Sequence, residues 1–197
     1  GGQIGDTGKI KSKEIHLNVI DTYILGDDIC HLCELLDGNL DKIFNNHFKL
    51  SIDEERRKKI KANHSATHLL HKALKTVLGN HIQQAGSLVA DDRLRFDLTH
   101  YEKLDNNMLN EIESNVNKII RKNIEIQISI QDYKVARLSG ACALFGEKYE
   151  DKVRVVDVPE FSKELCGGTH VDSTGDIGFF KIISETSVSA GIRRIEA

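Results

Sequence analysis

The sequence predicts an α+β fold, an antiparallel-rich sheet packed by two long helices with a small β unit in front. Three observations predict it. From Asp53 to Val77 apolar or small side chains recur at helical spacing, at Ile60, Ala66, Leu69, Leu70, Ala73 and Val77, long enough for about seven turns. Residues 105–122 repeat that spacing, with Leu109, Ile112, Val116, Ile119 and Ile120 on one face. Around these helices lie short alternating stretches, in an order that is mixed rather than regularly strand–helix–strand, which argues against a parallel doubly wound sheet.

Residues 14–20 alternate polar and apolar, residues 29–36 form a second apolar run, and residues 46–52 a third, with turn chemistry at Gly26-Asp27-Asp28 and Asp37-Gly38-Asn39. These make a β-barrel-like unit, residues 1–52, and the larger domain is expected to cover residues 53–197. Asp53-Glu54-Glu55 suits a helix N-terminus and Gly79-Asn80 a stop. A hairpin follows, 82–89 and 93–99 around Ala90-Asp91-Asp92, and Asp105 is placed to cap the second helix. Residues 124–130 alternate strictly, which directs Ile124, Ile126, Ile128 and Ile130 toward the core. A short helix at 133–138 and strands at 152–158, 177–184 and 192–195 complete the expectation.

Forty percent of the 197 residues are apolar and no apolar run approaches the roughly 20 residues needed to span a bilayer, which excludes a helical membrane protein. A formal net charge of −3 leaves any RNA contact to local patches. The chain opens on Gly1-Gly2-Gln3, and its single Met is Met108, so it reads as a piece of a longer protein. Four cysteines, Cys30, Cys33, Cys142 and Cys166, are too sparse for a disulfide framework and fit a reducing cytoplasm. Cys30 and Cys33 sit three apart in a strand, on opposite faces, and with Cys142 are read as small buried apolar groups.

His64 and His68, at i and i+4, place two imidazoles on one helix face one turn apart. Cys166-Gly167-Gly168-Thr169-His170 offers a thiolate and an imidazole four apart in a turn that two glycines let fold tightly. Together the HxxxH and CxxxH pairs supply three nitrogens and one sulfur, a set that suits one Zn2+ per chain. The residues between the helical histidines are Ser65, Ala66 and Thr67, with no Glu to serve as the base of a zinc protease. Four protein ligands also fit a purely structural zinc.

Asn63–His71, Gln84–Val89, Leu94–Asp97, residues 143–149, Leu165–His170 and Gly191–Ala197 closely resemble the editing domain of alanyl-tRNA synthetase, in the same order, and Gly1–Gly8 resembles the start of the small β-barrel that precedes it. The resemblance implies hydrolysis of the ester between serine or glycine and the 3′-terminal adenosine of alanine tRNA, in a chain whose remaining parts bind ATP and charge that tRNA. It implies zinc held by His64, His68, Cys166 and His170, and Gln84 in the editing pocket with Thr67 beside a ligand. Freestanding trans-editing deacylases carry the same two pairs, and a zinc-stapled RNA-binding module without turnover is the non-enzymatic alternative. Candidate phosphate contacts are Arg56, Arg57, Lys58, Lys59, Lys61, Arg193 and Arg194. Asp97 is expected to pair with Arg95 rather than to meet substrate. Gly1-Gly2-Gln3 is read as part of the barrel, with no chemistry of its own.

Overall fold

The computed structural model describes residues 2–45, 47–143 and 149–197. The chain divides into two units, Ile4–Lys59 and a larger one combining Gly1–Gln3 with Ile60–Ala197. The division falls inside the first long helix, and the first three residues belong with the larger unit.

The smaller unit is a four-stranded antiparallel sheet of β1 (Gly8–Lys11), β2 (His16–Leu25), β3 (Asp28–Asp37) and β4 (Lys49–Ile52), in the order β3-β2-β1-β4. A 3₁₀ turn, Leu40–Asn45, leads toward β4. Among the described residues this sheet does not close on itself, so the β-barrel-like expectation is corrected to an open sheet. β1 and β4 are only four residues long, so too little strand remains to curl the sheet back upon itself. Ile15, Leu17 and Val19 are buried, but the apolar run of β3 is not: Ile29 is 69% exposed and Leu36 56%. Cys30 and Cys33 are half-buried, free thiols rather than fully buried packing groups.

The larger unit packs two sheets and two helices on one core. α1 (Glu54–Leu78) is followed by the hairpin β5 (Gln84–Val89) and β6 (Leu94–Thr99), then by α2 (Asn106–Lys122). Asp105 caps α2, accepting from Met108 N–H at 2.8 Å, and Asn123 ends it in the left-handed region at φ 49°. β7 (Gln127–Asp132), the short α3 (Tyr133–Leu138), β8 (Lys152–Val158) and β9 (Ser162–Leu165) come next. A 3₁₀ turn (Thr174–Ile177), β10 (Ser184–Ser189) and β11 (Ile192–Glu196) close the chain. The sheets run β10-β11-β6-β5 and β7-β8-β9, all pairs antiparallel. Leu69, Leu70 and Leu74 of α1, Phe96 of β6, Ile112 and Val116 of α2 and Val156 of β8 share the main core. β8 is buried on both faces, because Val153 and Val155 alternate to the other side and pack with Ala136 and Leu165. Among the described residues no helix is long and apolar enough to cross a membrane.

Two expectations are corrected. Ile124 and Ile126 join the core, but Ile128 and Ile130 are 47% and 73% exposed. β7 is the edge of its sheet and runs beyond the covered part of that face; alternation fixes which residues share a face, not how much of it is covered. The strand expected at 177–184 begins only at Ser184. Upstream, side chains of α2 satisfy the backbone in place of a neighbouring strand. Phe180 N–H donates to Asn117 Oδ1 at 3.0 Å, Asn117 Nδ2 donates to Phe180 O at 2.7 Å, and Ile182 N–H donates to Glu113 Oε2 at 3.0 Å.

Candidate metal centre

Within the larger unit α1 carries His64 and His68 on its buried face, and the turn leaving β9 carries Cys166 and His170. The four ligand atoms all lie within 4.8 Å of one another. Cys166 Sγ is 3.3 Å from His64 Nε2 and 3.4 Å from His170 Nε2. A tetrahedral ion with ordinary metal–sulfur and metal–nitrogen bonds would hold such a pair about 3.5 Å apart, so the donors fit one metal ion. His68 Nε2 is buried without a hydrogen-bond partner among the described residues, as His71 Nε2 is, but only that of His68 lies among the four converging donors, where a metal would satisfy it.

The opposite edges of these rings are held in place. Glu164, 4% exposed, places Oε2 2.5 Å from His68 Nδ1 and Oε1 2.9 Å from His71 Nδ1. Ser65 Oγ lies 3.2 Å from His170 Nδ1 and accepts from Val171 N–H. Arg154, from β8, donates to the carbonyls of Cys166 (2.9 Å) and Gly168 (2.6 Å) and so shapes the CxxxH turn. Gly168 is required by close approach, since a Cβ there would fall inside the His64 ring. One thiolate and one buried carboxylate together balance the charge of a divalent ion.

Burial opposes ionisation of Glu164, but His68 and His71 more than offset it and hold the carboxyl well below its ordinary range. Burial likewise opposes charge on His68, and the Glu164 carboxylate overrides it, raising the imidazole to about 10. Cys166 is buried too, yet hydrogen bonds from His170 and His64 lower it to about 2. His170 falls to about 4, because burial outweighs the help it receives from Cys166.

These directions set a pH profile for chelator-stripped protein. The raised His68 contributes stability fully below its ordinary 6.5 and loses it as pH rises through about 10. The lowered Cys166 and Glu164 contribute fully above their ordinary 9.0 and 4.5 and lose it as pH falls. His170, buried neutral, contributes above 6.5 and loses it as pH falls toward 4. Between 6.5 and 9.0 folded and unfolded states hold equal numbers of protons on these groups. Stability is therefore expected to be level there, to fall below 6.5 where the unfolded chain binds more protons, and to fall again above 9. Urea midpoints from pH 5 to 10 check this, and a rise in stability on acidification from 6.5 to 5 would contradict it.

The other sequence-selected residues lie as follows. Thr67 is buried and its hydroxyl donates to Asn63 O at 2.8 Å, within its own helix. Gln84 opens β5, half-buried, across from Leu98, and the strand bulges between it and Gly86. Asp97 is buried and paired, but its main partner is Arg194, the residue opposite it on β11, through bonds of 2.7 and 2.9 Å; Arg95 is 3.7 Å away. Arg193 is clasped by Glu185 at 2.5 and 2.7 Å. In the smaller unit Arg57 pairs with Asp6, Lys58 with Glu55, and Arg56 donates to Gly5 O at 2.7 Å. Lys59 is exposed, and Lys61 of the larger unit is half-buried. Of residues 143–149, positions 144–148 lie outside the described residues.

Sequence reasoning missed Gln3, Glu164, His71 and Arg154. Gln3, read above as part of the barrel, belongs to the larger unit and places Oε1 2.7 Å from His64 Nδ1. His71 carried a signal, three residues from His68 on one helix face, whereas Glu164 and Gln3 join through chain separations of 96 and 61 residues.

The stretch from β8 to β11 carries two of the four ligands, and a family model matches it. Residues 153–196 match the family model of the threonyl and alanyl tRNA synthetase second additional domain. The match marks an aminoacyl-tRNA editing-related domain, with tRNA as the partner class and protein biosynthesis as the setting. Cys166 and His170 fall inside the matched residues, while His64 and His68, from α1, lie outside them. A small cleft of ≈ 210 Å³ reaches Cys166 between Tyr149, Arg154 and Gly167.

Proposed function

We propose that the chain is the editing domain of an alanyl-tRNA synthetase, clearing serine or glycine from the 3′ end of tRNA(Ala). The observation that carries this reading is the convergence of HxxxH and CxxxH on one centre, partly within the matched segment. The chemical need is plain: a synthetic pocket built for alanine rejects glycine by one methyl, worth about 1–3 kcal/mol, and serine by little more. In hydrolysis the water oxygen bonds to the ester carbonyl carbon, the bond from that carbon to O3′ breaks, and O3′ leaves with a proton.

His64, His68, Cys166 and His170 hold the ion, and three nitrogens with one thiolate favour zinc. When bound, zinc supplies Lewis-acid polarisation of the ester or of water. Glu164 keeps His68 aligned and supplies the second negative charge. Gln84 donates to or accepts from the serine hydroxyl, and Thr67, with its hydroxyl engaged by Asn63, contributes shape. Lys59 and Lys61 are the favoured phosphate contacts, because Arg57, Lys58, Arg193 and Arg194 each face an acid. The remainder of a synthetase chain would be the physical partner, and the free cysteines suit a reducing cytoplasm.

The deciding experiment is release of serine from seryl-tRNA(Ala) beside alanyl-tRNA(Ala) and seryl-tRNA(Thr). Selective clearance of seryl-tRNA(Ala) is expected; clearance of only the threonine tRNA ester would assign the threonyl kind instead. Four protein donors also fit a closed, structural ion. That second reading gains if metal-loaded, folded protein binds tRNA and releases no amino acid.

A further inference from the structure

Gln3 reaches the centre from 61 residues before His64. Gly2 O accepts from Val89 N–H at 2.7 Å, and Gln3 forms a parallel bridge to Val89, which lays residues 2 and 3 along β5. Gly2 has φ +85°, and a Cβ there would strike Ser87, so the arm can follow this course only with glycine at that position.

The Gln3 side chain then meets polar atoms of two residues. Its Oε1 lies 2.9 Å from Thr169 N and 3.2 Å from Thr169 Oγ1, as well as 2.7 Å from His64 Nδ1. A backbone N–H can only donate, so the atom facing Thr169 must be the amide oxygen and not the NH2 group. An amide oxygen can only accept, so the His64 nitrogen facing it must carry its proton. A ring whose Nδ1–H faces Gln3 offers Nε2 as its metal-binding nitrogen, on the side of Cys166 Sγ. The same oxygen ties His64 of α1 to Thr169, between Cys166 and His170, and so joins the two halves of the ligand set.

We propose that Gln3 is a positioning residue of the metal centre, which locks His64 in its ligating tautomer and holds the helix ligands against the CxxxH turn. This rests on the metal-centre reading and not on the identity of the ester cleaved. The test compares Gln3→Met, of similar size with no amide oxygen, with Gln3→Glu, which keeps an acceptor, in the whole chain. Two readouts are taken: Zn2+ affinity by competition with a chromophoric chelator, and the long-range 1H–15N spectrum of the His64 ring in chelator-stripped protein.

Gln3→Met is expected to weaken Zn2+ binding about 10–100-fold, as loss of a hydrogen-bond partner behind a ligating histidine does, and to give a mixture of His64 tautomers. Gln3→Glu is expected to stay within about threefold of the parent and to keep a single tautomer. Parental affinity in Gln3→Met, or equal losses in both variants, would overturn the proposal. Should Gln3→Met fail to fold, the Gln3→Glu ring spectrum decides, because a mixed tautomer there contradicts the lock. Turnover of seryl-tRNA(Ala) is read separately: a parent that binds Zn2+ without clearing the ester removes the proposed function and leaves this result standing.

Discussion

Cys166→Ala is expected to bind Zn2+ so weakly that chelator-washed protein retains less than about a tenth of the parental metal, and to clear seryl-tRNA(Ala) more than about 100-fold more slowly. The sulfur is the donor that both His64 Nε2 and His170 Nε2 face, and it is held as thiolate far below its ordinary range. Alanine leaves three imidazoles without the one anionic ligand. Metal content by atomic emission, single-turnover deacylation and a melting curve should be read on the same sample. Parental metal content and turnover in the variant would mean that these four residues are not the centre. A variant that melts like the parent yet clears no ester favours the enzyme over the structural ion.

Glu164→Ala should give the largest stability loss. The carboxylate faces two buried imidazoles, and removing it leaves His68 with neither its charge partner nor its acceptor. Stranding a buried charge in this way costs about 3–5 kcal/mol, which in a chain of this size lowers the melting temperature by of order 10 °C. Metal affinity should fall as well, since the ring orientation of His68 depends on that bond. Glu164→Gln keeps one acceptor for two donors, so it should fall between parent and Ala. Equal melting of all three proteins would mean that the His68–Glu164–His71 arrangement contributes nothing to the fold.

The parts of this molecule legible in the sequence are those whose cause is local. Helical spacing marked α1 and α2, Asp105 announced its cap, and a ligand pair four residues apart on one helix can be seen without knowing the fold. What lay hidden depends on contacts between distant segments. Nothing near Arg194 says that Asp97 will stand opposite it, because that follows from the β6–β11 register. Residues 178–183 resemble a strand in composition, and their partner turns out to be the side chains of a helix some 60 residues earlier. In β3 an apolar run implied burial, while the four-stranded sheet leaves much of that run open. Glu164 reads locally as an ordinary strand acid, and only the α1 histidines give it a role.

The arm at Gln3 and the turn at Thr169 are joined across 166 residues of chain. During synthesis, therefore, the arm is made 166 residues ahead of the turn, and its bonds must wait for that turn before they can form. A nascent chain that has released α1 but not β9 carries only half of the donors, and half a donor set binds an ion loosely enough to let it go. Metal capture thus becomes a late event of biogenesis, and a truncated translation product would carry the HxxxH pair without acquiring a working centre.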